Sequence, residues 1–158
     1  AAHAQVTEVS QAGFVSEHQL ELPASPEKVY AALVDGVHLW WDASHSYSGD
    51  ANNFTLDGRA GGCFCEALPG GGSVEHMRVI YADPAKLLRL SGSLGPLQVE
   101  AVRGTMTFSL EATEHGTVLK YRYVVGGYAR DGIENWAEAV DQVQLSQLQR
   151  LKAHLEKQ

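Results

Sequence analysis

The chain has two cysteines in 158 residues, too few for a disulfide framework. It is also short of basic charge, with 12 Lys and Arg against 19 Asp and Glu and a net charge of −7. Nucleic acid and anionic membrane surfaces both call for a basic patch, so neither is expected as a partner. No apolar run approaches the roughly 18 residues of a membrane span, and no span is expected. There is no internal repeat and no low-complexity segment. Nothing in what remains departs from an ordinary chain, and at 44% hydrophobic residues this length fits one domain with a real core.

The first residues, Ala1-Ala2-His3-Ala4, read like the small-residue end of a secretory signal. That favours an exported, periplasmic chain over a cytoplasmic one. Residues 1–13 are polar, small and without periodicity, and are expected to be a flexible arm ahead of a domain spanning 14–158. Phe14 to Leu22 then alternates as a half-buried strand, with His18 on its apolar face. Ser25-Pro26-Glu27 is a strong helix start, with an N-cap Ser, Pro at the first position and then an acid. That helix ends at Asp35-Gly36. A second short helix is expected over Val37–Asp42, with one ring of Trp40-Trp41 packed inward and the other exposed. A polar loop from Ala43 to Asp50 follows, holding His45 and Tyr47.

From Asn53 the period changes to two. Strands are expected over Asn53–Asp57, Gly61–Ala67, Ser73–Tyr81, Lys86–Ser91 and Thr105–Glu111, with a last one through Leu119, Tyr121, Tyr123 and Val125. Tight turns at Pro69-Gly70-Gly71-Gly72 and Glu114-His115-Gly116 make them antiparallel. The segment Gly92–Gly104 is the one loop rich in apolar residues, suited to close over a cavity as a lid.

The chain ends in an amphipathic pattern from Asp131 to Gln158, with Asp131 as N-cap. Ile133, Trp136, Ala137, Val140, Val143, Leu148, Leu151 and Leu155 define the apolar face. Glu134, Glu138, Asp141, Gln144, Gln149, Arg150 and Lys152 define the polar one. A helix this long, about 35 Å, must lie across something, and the apolar face of the strands is the surface it can cover.

The order of these elements resembles the START/SRPBCC superfamily, the helix-grip fold, in its polyketide cyclase/dehydrase or AHSA-like branch. The resemblance rests on Pro23-Ala24-Ser25-Pro26-Glu27-Lys28-Val29-Tyr30-Ala31-Ala32-Leu33, the Trp40-Trp41 pair, Gly61-Gly62-x-Phe64, Asp83-Pro84 before Leu87-Leu88, and the final helix. It covers residues 14–156. It implies an α+β fold in which a curved antiparallel sheet of about seven strands wraps around the long C-terminal helix, with two short helices after the first strand. It further implies a hydrophobic cavity between sheet and helix. It transfers no catalytic motif, because members bind lipids, hormones or polyketides, catalyse ring closure or dehydration, or bind proteins.

Three readings of function follow. The first is binding of a small, largely hydrophobic molecule, with Trp41, Phe64, Met106, Phe108, Tyr121, Tyr123, Trp136 and Val140 around it. The second is a cyclase or dehydratase using His76 or His45 as acid–base, with Tyr123 or Arg78 orienting a carbonyl. The third is an interaction module like the chaperone activators, with a filled core and an exposed apolar patch around Trp40, Leu94 and Leu97. Cys63 and Cys65 share a strand face, and with His76 they make three metal-ligand types where a zinc site wants four. Free thiols are therefore the expected state, and neither metal nor cofactor is expected. A disulfide between two residues so close on one strand would be a constrained link.

Overall fold

A computed structural model describes residues 5–158. The Ala1–Ala4 segment, on which the reading of export rests, lies outside the described residues.

Local chemistry sets the first helix. Ser25 accepts a hydrogen bond from the Lys28 amide, Pro26 occupies the first turn, and α1 runs Pro26–Val34 with Val29, Tyr30, Ala32 and Leu33 buried. The one-turn α2, Val37–Trp40, follows directly. Both indoles are buried, Trp40 donating to the Ala32 carbonyl at 2.9 Å and Trp41 to the His45 carbonyl at 3.0 Å. The expectation that one ring faces water is corrected by these two acceptors, which let both rings bury without leaving an indole N–H unpaired.

Eight strands form one antiparallel sheet: β1 Val6–Ser10, β2 Gly13–Leu22, β3 Phe54–Leu56, β4 Cys63–Ala67, β5 Ser73–Asp83, β6 Leu87–Gly92, β7 Ala101–Thr113 and β8 Gly116–Tyr128. Their order is β1-β2-β8-β7-β6-β5-β4-β3. The helix α3, Ala137–Glu156, packs against β2, α1 and α2. This is the expected α+β helix-grip arrangement, with eight strands where about seven were expected. The additional strand is β1, inside the segment expected to be a flexible arm. Its Val6 pairs with Ser16, Ser10 pairs with Gly13, and the Thr7 hydroxyl bonds across to β2. An edge strand buries little, and β1 exposes all but Val6, so it shows no alternation from which to read it.

The start of the long helix also differs from the sequence reading. Asp131 takes a positive φ of 65° and Gly132 one of 94°, so the pair forms a turn instead of an N-cap. A single 3-10 turn over Ile133–Trp136 follows, and α3 begins at Ala137. At 20 residues α3 is about 30 Å long. Its buried face includes Ala137, Asp141, Gln144, Leu145, Gln147, Leu148, Leu151 and Leu155. Asp141 and Gln144, assigned to the polar face, are buried. No helix among the described residues is long and apolar enough to cross a membrane.

Candidate functional site

The site begins with a bulge. On β4, alternation turns Phe64 and Glu66 inward and leaves Cys63 and Cys65 half-exposed on the outer face. Opposite, Phe64 pairs with Met77 but Cys65 pairs with Glu75, so His76 is an extra residue on β5. Both His76 and Met77 therefore point inward and are buried. The same bulge is why this strand does not alternate in sequence.

The bulge separates the three candidate metal ligands. His76 lies on the inner face and the two cysteines on the outer one, so they do not converge. Cys63 and Cys65 are joined to each other as a disulfide, with Cα atoms 5.4 Å apart. Two residues along a regular strand span about 6.4–6.8 Å. At 5.4 Å the pair lies near the usual Cα separation of a disulfide. The free thiols expected from sequence are corrected accordingly.

Glu66 is 1% exposed, an unusual place for a carboxylate. Its Oε1 accepts from the Tyr47 amide at 3.2 Å and from His76 Nε2 at 2.9 Å, and its Oε2 accepts from the Ser48 amide at 2.6 Å. Burial pushes its pKa up, but the hydrogen bonds from Ser48, His76 and Tyr47 outweigh that and hold it below the ordinary carboxylate range. One inward carboxylate thus fixes the polar loop after α2 to the sheet. The Tyr47 hydroxyl then donates to the Gly95 carbonyl at 3.0 Å, linking that loop to the one between β6 and β7. The His76 ring is stacked between Tyr47, 5.9 Å between centroids and 16° between planes, and Phe54, 5.2 Å and 19°.

These two loops, the inner sheet face and the first half of α3 line a partly open cavity of about 340 Å³. Its wall is mainly apolar: Trp41, Leu94, Leu97, Trp136 and Val140, with His45 and Tyr47 at the exposed rim. His76 and Tyr123 reach it from the sheet, and Gln144 from α3. Gly104 makes room for the Tyr123 ring, because a Cβ there would collide with it. Burial pushes the hydroxyls of Tyr121 and Tyr123 well above the ordinary tyrosine range. At Tyr123 the Leu94 backbone, near the hydroxyl but outside hydrogen-bond geometry, pulls the other way. Tyr121 donates to Gln144 Oε1 at 3.2 Å. Among the described residues, five buried side-chain atoms lack a hydrogen-bond partner, namely Tyr30 Oη, His76 Nδ1, Tyr123 Oη, Glu134 Oε2 and Gln147 Nε2, and His76 and Tyr123 are the two whose side chains line the cavity.

Of the residues expected around a ligand, Trp41, Tyr123, Trp136 and Val140 line the cavity. Phe64, Met106, Phe108 and Tyr121 do not. They are buried in the surrounding core, with Phe64 against Trp41 and Phe108 against Tyr121. Of the acid–base candidates, His76, His45 and Tyr123 line the cavity. Arg78 lies on the outer face, donating to the Gly61 carbonyl and pairing with Glu75, because the residue after Met77 points outward. The apolar segment expected as a lid contributes Leu94, Gly95, Pro96 and Leu97 to the wall, and from Ala101 onward it is already β7. Sequence reasoning missed Glu66 and Gln144. The alternation Phe64-x-Glu66 was the available signal, since it places a carboxylate on an apolar face, where it must find partners. Gln144 had no such signal.

The family model described as Activator of Hsp90 ATPase homolog 1-like protein matches residues 23–156. No curated protein matches the sequence. Among solved structures, a protein from Rhizobium leguminosarum is 23% identical with a TM-score of 0.66, over 91% of this chain and 95% of that one. The Aha1 dimer from Colwellia psychrerythraea is 22% identical with a TM-score of 0.62, over 90% and 96%. DynU16, from the dynemicin biosynthetic locus, is 17% identical with a TM-score of 0.62, over 90% of this chain and 47% of its own. At these identities the likeness is one of fold.

Proposed function

The chain belongs to the Activator of Hsp90 ATPase homolog 1-like family, a branch of the START/SRPBCC superfamily, and from that premise we propose that it binds a small, largely apolar molecule. The cavity between the sheet, the two loops and the first half of α3 is the site. One observation carries the reading: a cavity of about 340 Å³ is lined mainly by the apolar side chains of Trp41, Leu94, Leu97, Trp136 and Val140, with His76, Tyr123 and Gln144 as the polar residues of its inner wall. The volume lies at the small end of ligand pockets, and an apolar wall with a few polar anchors is how such pockets are built.

The other two readings have less support. The patch required for a protein-interaction module, Trp40, Leu94 and Leu97, is buried. A cyclase or dehydratase would use the same cavity, which keeps His76 and Tyr123 but not Arg78, and has His45 at its exposed rim. Native mass spectrometry of the purified protein tests the binding reading. A retained small molecule supports it, as does a melting temperature raised by members of a lipid and aromatic library. Clean apo protein with no shift across the library contradicts it.

A further inference from the structure

We propose that Cys63 and Cys65 form a redox-active disulfide that oxidises dithiols by thiol–disulfide exchange. The pair lies on the outer face of β4, outside the cavity wall, and the proposal is independent of the binding reading.

A disulfide holds a fold together when it ties separate elements or closes a long loop. This one does neither, because both cysteines lie on β4, two residues apart. The strand is already fixed without it. Cys65 pairs with Thr55 of β3 and Glu75 of β5, Cys63 pairs with Arg78 of β5, and the Cys63 carbonyl accepts from the Asp57 amide at 3.0 Å. On the inner face Phe64 packs against Trp41 and Phe54, and Glu66 accepts from the Tyr47 and Ser48 amides. Breaking the link therefore leaves β4 in place, with two thiols side by side on one face.

Linkage then sets the redox poise. A disulfide that adds little to the stability of the fold is stabilised little by the fold in return. The extended strand favours a spacing of about 6.4–6.8 Å over the 5.4 Å of the bonded pair, so the sheet does little to hold the bond closed. Both cysteines are half-exposed, and Thr55, Glu75 and Arg78 beside them are exposed, so the face is open to a thiol from solvent. An exposed disulfide closing so short a loop is an oxidant, unlike the structural disulfides that resist glutathione.

The two sulfurs are not equivalent. Arg78 stands opposite Cys63, held by the Gly61 carbonyl and the Glu75 carboxylate. A guanidinium beside a thiol favours its thiolate, which makes Cys63 the better leaving group. One thiolate of an incoming dithiol attacks Cys65 Sγ, the Sγ–Sγ bond breaks, and the electron pair leaves on Cys63. The second thiolate of the dithiol then attacks its own partner's sulfur in the mixed disulfide and expels Cys65 as a thiolate. The protons given up by the dithiol end on Cys63 and Cys65. Two electrons have passed, the dithiol has become a disulfide, and the protein carries two thiols. The same exchange run with a disulfide in place of the dithiol restores the bond.

The test has two arms, both on the native wild-type chain without oxygen. In the first, the protein is equilibrated in glutathione buffers from mostly oxidised to mostly reduced, quenched in acid, alkylated and weighed by mass spectrometry. The expected result is a reversible passage to the dithiol within that range, with unchanged circular dichroism. In the second, the oxidised protein is mixed with an excess of a reduced short peptide carrying two cysteines. Peptide disulfide should appear one for one with loss of the protein disulfide, at least about tenfold faster than in peptide alone. A link that stays closed in fully reduced glutathione is structural and overturns the proposal. Loss of the folded spectrum on reduction overturns it as well, and so does peptide oxidation no faster than the background.

Discussion

His18 of β2 and Asp141 of α3 meet at 2.8 Å beneath the long helix, both buried. The same Asp141 oxygen accepts from the Ser16 hydroxyl. Although Ser, His and Asp stand together here, the arrangement is not a catalytic relay. One ring nitrogen of His18 and the serine hydroxyl share a single carboxylate oxygen, so the imidazole does not bridge the other two. The cluster instead sets where α3 lies on β2. Asp141→Ala should leave Ser16 and His18 with only their own 3.4 Å contact and lower unfolding free energy by about 2 kcal/mol in a urea titration. Replacing Ser16, His18 and Asp141 together by apolar residues of similar volume should cost much less. A single variant as stable as wild type would deny the cluster this role.

Glu66 makes a prediction about acid. Its folded pKa is lowered from the ordinary 4.5, so it contributes stability that is fully present above that value. The contribution is lost as pH falls through the lower, folded value. The stability difference between wild type and Glu66→Gln should thus be constant at neutral pH and shrink on acidification below about pH 4.5. The variant should also free the loop holding Tyr47 and Ser48, seen as faster amide exchange there. A difference that grows as pH falls would contradict the assignment.

The Cys63–Cys65 link closes a very short loop, so its effect on stability should be small, about 1–2 kcal/mol by chain entropy. Thiol titration of the native, unreduced protein should find no free thiol, and treatment with a dithiol should release two per chain. Two thiols reacting before reduction would contradict the pairing.

On α3 the cavity and the core are separated by one turn. Val140 lines the cavity, whereas Ala137 is 4% exposed and packed in the core, away from the cavity wall. Ala137→Leu should therefore overpack the core and cost about 1–3 kcal/mol. Val140→Phe has empty space to enter and should leave stability nearly unchanged. Thermal unfolding of the two variants reads the contrast, and equal losses in both would place Val140 in packed core.

What the sequence disclosed follows from what makes a periodic signal. Ser25-Pro26 marks a helix start, while the alternation through Met106, Phe108 and Leu110 and the spacing of Leu148, Leu151 and Leu155 report burial on one face, and in this order they resemble the helix-grip fold. β1 gave no signal because an edge strand buries almost nothing. The bulge at His76 broke the alternation and hid its direction until the register with β4 was known. Asp141 and Gln144 were assigned to the solvent face because polarity is a proxy for exposure, and it fails where a partner such as His18 or Tyr121 waits across the interface. Trp41, Tyr123, Trp136 and Val140 were legible as one apolar surface. Which of that surface's residues face a void and which face each other depends on packing, and Phe64, Met106, Phe108 and Tyr121 fell on the packed side.

The most direct measurement is titration of a neutral naphthylamine dye into wild type and Val140→Phe, followed by fluorescence. Wild type should show a saturable rise, and the filled variant should bind at least about tenfold more weakly at an unchanged melting temperature. Equal binding to both, or no saturable binding to wild type, would contradict the cavity as the place where a ligand is held.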